Sequence, residues 1–120
     1  MQLKDQVVSL ELAKQLKELG FEQESYFYWQ CSREIGSVGQ YTWHLEIRSG
    51  EFKPEKYSAY TVAELGKMLP DHFHTQKSGV DYFIDCKDTQ HPAYQHYEFA
   101  EHEADCRAKM LIHLKTNKLI

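Results

Sequence analysis

"EHEADCRAKMLIHLKTNKLI", residues 101–120, opens on acids, closes on lysines and carries apolar residues at helical spacing in between. Ala104, Ala108, Leu111 and Ile112 recur three and four residues apart, with Leu119 extending the series, which is the period of one buried helix face. Glu101, Glu103 and Asp105 lie where the field of such a helix is positive, and Lys115 and Lys118 where it is negative. The preceding "HPAYQHYEF", residues 91–99, reads as a strand entered at His91 and Pro92. A strand running into a closing amphipathic helix points to a mixed α and β chain, if other strands precede it.

They do. "SYFYWQ", residues 25–30, is an aromatic strand, and in "YTWHLEIRSG", residues 41–50, Trp43, Leu45 and Ile47 alternate with polar residues. The two are expected to pair as a hairpin across a long loop holding Gly36 and Gly39. "DHFHTQ" and "GVDYFIDC" predict two more strands turned at "KSG", with Val80, Tyr82, Ile84 and Cys86 on one face. Two helices precede the closing one. "SLELAKQLKELG", residues 9–20, offers Ser9 as cap, Leu12, Leu16 and Leu19 as a face and Gly20 as terminator. In "TVAELGKMLP", residues 61–70, Thr61 and Glu64 have the spacing of a capping box, Leu65, Met68 and Leu69 form the buried face, and Pro70 marks the end. The expectation is one α+β domain over residues 1–120, with three helices packed on a mostly antiparallel sheet of four to five strands.

Three stretches taken together, "VVSLELAKQLKELGFEQESYFYW", "YTVAELGKMLP" and "EADCRAKMLIHLKTNKLI", resemble a family of small uncharacterised proteins of bacteriophages, prophages and bacterial genomes. The likeness spans roughly half of the chain and rests on the order of a leucine-rich helix, an aromatic strand, a "YTVAELG" helix and an acidic-to-aliphatic closing helix. It implies an accessory protein of phage or mobile-element type. It implies no catalytic residues, because no activity is attached to the family.

Composition narrows the function classes. With 14 Lys and Arg against 18 Asp and Glu the chain carries a formal charge of -4, which argues against a nucleic-acid partner, since that affinity comes from basic side chains. Cys31, Cys86 and Cys106 are odd in number and without CxxC spacing, and "MQLKDQVVSLEL" has no apolar signal core, so a reduced, cytoplasmic protein is expected. No apolar run approaches the ~18 residues of a membrane span, and no cofactor motif is present. Gly36 and Gly39 lack the lysine and following helix of a phosphate loop.

Four groups of side chains are candidates for function. His72 and His74 share strand parity and could bind a metal, but only if the fold sets their strand beside the one carrying His96. The acids at the start of the closing helix do not converge, because Glu101 and Asp105 share a face and Glu103 points elsewhere. Cys106 has acidic neighbours that oppose a thiolate, and Cys86 lies on an apolar strand face, so both read as packing residues. The run Tyr26, Phe27, Tyr28 and Trp29 is the fourth, because alternate rings must face opposite sides of a strand. The resulting expectation is a non-enzymatic protein that binds a protein partner, or itself as an oligomer, through an aromatic sheet face of Tyr26, Tyr28, Trp29 and Trp43. The alternative is a nucleotide-like small-molecule binder or hydrolase with a pocket lined by His and Tyr.

Overall fold

The computed structural model describes residues 2–33, 41–47, 56–71, 73–86 and 96–120. Helix α1 (Leu10–Glu18) is followed by strands β1 (Phe27–Arg33), β2 (Tyr41–Ile47) and β3 (Lys56–Ser58). Helix α2 (Val62–Met68), strands β4 (Phe73–Ser78), β5 (Asp81–Cys86) and β6 (Glu98–Ala100), and helix α3 (Glu103–Thr116) complete the chain. A short 3-10 turn, Leu3–Asp5, precedes α1. The α+β class and the three helices agree with the sequence.

The sheet does not. In place of one sheet of four to five strands, the described residues form two three-stranded antiparallel sheets, β2-β1-β3 and β4-β5-β6. β1 and β2 pair as expected, with Trp29 opposite Leu45 and Cys31 opposite Trp43. β3 then takes the other edge of β1, Trp29 facing Tyr57, and β4 pairs with β5 instead of joining this sheet. Three residues are too few to show a period, so β3 has no signature in the sequence.

α3 is the element common to two cores, one beside each sheet. Ala104, Ala108 and Leu111 enter a core with Val8, Ala13 and Leu16 at α1, Tyr60, and Leu65 of α2, with Trp29 and Tyr57 of the first sheet packed against it. Cys106, Met110 and Leu114 enter a second core with Ile84, flanked by Phe73, Tyr82 and Ala100. At 100° per residue the two stripes are centred roughly 130° apart, so one helix presents apolar surface in two directions. The small side chains fall on the first stripe, where α1 and α2 both approach α3.

Local expectations are met unevenly. Thr61 and Glu64 form the capping box, with Glu64 N–H donating to Thr61 Oγ1 at 3.2 Å and Thr61 N–H to Glu64 Oε1 at 3.0 Å. Ser9 holds the N-cap position of α1, but its side chain makes no capping bond. Its backbone N–H donates instead to Asp105 Oδ1 at 2.7 Å, tying the start of α1 to the start of α3. Gly20 has φ +89°, as a left-handed terminator requires. Ala13, rather than Leu19, accompanies Leu16 in the core. Val80 sits in the turn after Gly79 and is exposed, while Tyr82 and Ile84 face α3. In the last strand only Glu98–Ala100 is paired; residues 91–95 lie outside the described residues.

Candidate functional site

Arg107 links the two halves. Its Nη1 donates to Val62 O at 3.1 Å, and its Nη2 to Thr75 Oγ1 and Glu103 Oε1, both at 3.2 Å. Thr75 Oγ1 in turn donates to Glu103 Oε1 at 2.6 Å. One guanidinium thus joins α2, α3 and β4, and a Cβ at Gly66 would collide with its Nη1. This accounts for a glycine within α2, where it costs about 1 kcal/mol of helix propensity. The acids of the closing helix therefore do more than complement its dipole: Glu103 holds β4, Asp105 holds α1, and Glu101 lies before the first turn.

The four predicted aromatics do not share a face. Tyr26 precedes β1 and is 70% exposed, its N–H donating to Glu64 Oε2 at 3.3 Å. Tyr28 is 5% exposed; its hydroxyl donates to Gln23 O at 3.2 Å, and Lys56 Nζ lies 3.8 Å from its ring centroid. Trp29 points to the opposite side, where its Nε1 donates to Val8 O at 2.8 Å. Trp43 shares the face of Trp29, its ring 5.6 Å from that of Tyr57 and 5.1 Å from Lys14 Nζ. These rings are used to pack α1 and its lysines onto the first sheet.

The histidines are also separated. β5 lies between β4 and β6, so the two histidine-bearing segments are not neighbours. His74 lies on the face of the second sheet away from α3, with Asp85 as its register partner. His96 faces α3, its ring stacked on that of His113 at 3.6 Å and 10°, with Nε2 2.6 Å from Glu98 Oε1. His72 lies outside the described residues. Among the described residues no group of three or more His, Cys, Asp or Glu side chains is placed to hold a metal ion. His113 lines a groove of about 400 Å³ with Lys109 and Asn117, and burial, then the neighbouring His96, lowers its pKa below the ordinary histidine value.

Cys106 is buried, with its thiol donating to Glu98 O at 3.4 Å. Burial, reinforced by the negative charge of Glu98, pushes its pKa up to about 12, so it is a protonated packing group at neutral pH.

Two features were not anticipated. On the outer face of the second sheet, Phe83 opposes Phe99 across the β5–β6 ladder with rings 6.1 Å apart, and Tyr97 meets Phe99 edge-on at 5.5 Å. The signal was the odd parity of Phe83, Tyr97 and Phe99, but only the pairing register brings them together. The second feature is a half-open cleft of about 460 Å³ where the 3-10 turn, the starts of α2 and α3, β1 and β5 meet. Tyr82 and His102 are both in its wall, and His102 Nε2 lies 3.6 Å from Asp5 Oδ1.

No helix among the described residues is long and apolar enough to cross a membrane. No protein-family model, curated protein or solved structure matches the chain.

Proposed function

We propose that this chain is a non-enzymatic accessory protein that binds a protein partner, or a second copy of itself, through an aromatic sheet face. The supporting observation is the ring cluster of Phe83, Tyr97 and Phe99, in which Tyr97 is 61% and Phe99 51% exposed. Contiguous exposed rings of this kind are enriched at protein interfaces. The face is thus on the second sheet, whereas Tyr28, Trp29 and Trp43 serve internal packing. A phage or mobile-element origin rests on the sequence resemblance, and a reducing cytoplasmic setting on the free thiols of Cys31 and Cys106.

Sedimentation velocity tests the reading on the wild type and on a Tyr97→Ser, Phe99→Ser variant, each alone and in native extract. Association should be lost in the variant while its circular dichroism is unchanged. A wild type that stays monomeric in both settings, or a variant that associates as the wild type does, overturns it.

A second reading, a small-molecule site lined by His and Tyr, is supported by the cleft holding Tyr82 and His102. A nucleotide is the less suited ligand there, because no Lys or Arg lines the wall to meet a phosphate.

A further inference from the structure

We infer that the cleft takes an organic cation: a protonated amine or guanidinium on a flat or apolar body, either free or as the basic side chain of a peptide. This rests on the small-molecule reading of the cleft and gives its ligand a charge. The volume of about 460 Å³ is within the range of small-molecule sites. Leu3, Phe27, Val62 and Tyr82 supply apolar and aromatic walls, and the charged side chains in the lining are the carboxylates Asp5 and Glu103.

The carboxylates are not equivalent. Glu103 is met by Arg107 at 3.2 Å and by Thr75 at 2.6 Å, so its charge is largely answered within the protein. Asp5 accepts the N–H of Gln2 at 3.3 Å and has His102 at 3.6 Å, and among the described residues no Lys or Arg pairs with it. Asp5 is therefore the charge that a ligand cation would meet.

An anion is the poorer fit even though two helices start here. The first turn of α2 is supplied by Glu64 through the capping box, and that of α3 contains Glu103 and Asp105. Negative charge belonging to the chain already complements both dipoles. The rings add to the preference, since the face of a Tyr or Phe attracts a cation. An apolar wall without a carboxylate would leave an ammonium desolvated and unpaired, and Asp5 supplies the pairing.

Three probes with one indole body separate the possibilities: tryptamine, tryptophol and indole-3-acetate, titrated at neutral pH and followed by amide shifts of Val62, Ala63, His102 and Glu103. The inference expects saturable shifts with tryptamine, weaker ones with tryptophol and none with indole-3-acetate. Asp5→Asn should weaken tryptamine about fivefold, the size of a partly exposed ion pair, and leave tryptophol unchanged. Ala63→Trp, on an exposed helix position in the cleft wall, should abolish both. The amine arm can be repeated with a lysine-containing tripeptide, where equal binding assigns a peptide source and loss of binding a free amine. If tryptophol binds as well as tryptamine, the cleft is a ligand site and the charge preference is wrong. If none of the probes shifts those amides, the small-molecule reading falls with it.

Discussion

The two sides of α3 solve the same packing problem with different materials. Toward the first core it presents Ala104, Ala108 and Leu111 and is met by two helices, so small residues allow close backbone approach and the partners supply the bulk. Toward the second it presents Cys106, Met110 and Leu114 and is met by one three-stranded sheet, whose inner face contributes Ile84, Phe73 and Tyr82. The first sheet turns Trp29, Trp43 and Tyr57 toward α1 and its lysines. The second sheet has helix on one side among the described residues, and its other side carries Phe83, Tyr97 and Phe99. The difference lies in clustering: the exposed Tyr26 and Ile47 of the first half stand apart from its packed rings, whereas Tyr97 and Phe99 of the second are exposed and touch each other.

The largest expected effect comes from emptying each core in turn. Leu111→Ala and Leu114→Ala should each cost about 3 kcal/mol in denaturant unfolding, the usual range for a buried leucine. Hydrogen exchange distinguishes them: Leu114→Ala should accelerate β4, β5 and β6 ahead of α1, whereas Leu111→Ala should accelerate both halves together. Equal acceleration in both variants would erase the distinction between the halves.

A smaller effect is shared by the two cores. Burial raises the pKa of Tyr60, in the first core, from 10.0 to about 12, and that of Cys106, in the second, from 9.0 to about 12. Each group is held neutral in the folded state and ionises more readily when unfolded. Its contribution is therefore complete below the unfolded pKa and is lost as pH rises toward the folded value. Stability should fall from about pH 9 upward, by on the order of 2 kcal/mol near pH 10. Cys106→Ala should move the onset of alkaline unfolding toward pH 10, and an unchanged onset would remove Cys106 from the account.

The smallest effect sharpens the tie between the halves. Gly66→Ala gains helix propensity but meets the Arg107 guanidinium, so the net change should be destabilising by about 1 kcal/mol. In an Arg107→Met background the same substitution should become stabilising by a similar amount. Additive effects across this double-mutant cycle would show that Gly66 does not make room for Arg107.

The closing helix, the capping box and the β1–β2 hairpin were legible because each depends on residues near in sequence or on an unbroken period. Thr61 and Glu64 are three apart, and Trp43 and Leu45 alternate on one strand. Reading Ala104, Ala108 and Leu111 as a face was correct, and incomplete. Cys106, Met110 and Leu114 recur four apart as well, but a cysteine and a methionine among charges do not announce a second stripe. The exposed aromatic face was assigned to β1 because four adjacent rings stand out, and adjacency says nothing about which side is covered. Phe83 and Phe99 are sixteen positions apart and become neighbours only through the β5–β6 register.

By itself, then, the sequence determined what short-range sterics and periodicity determine: three helices with their ends, the main strands, and an antiparallel α+β chain. The tertiary structure alone decided that there are two sheets, that α3 lines both cores, that Arg107 ties α2 to β4, and that Asp5 meets His102 in a cleft. Those contacts join segments up to ninety-seven residues apart. Their geometry follows from which edges and faces remain open once the local elements have formed, and no local pattern encodes that choice.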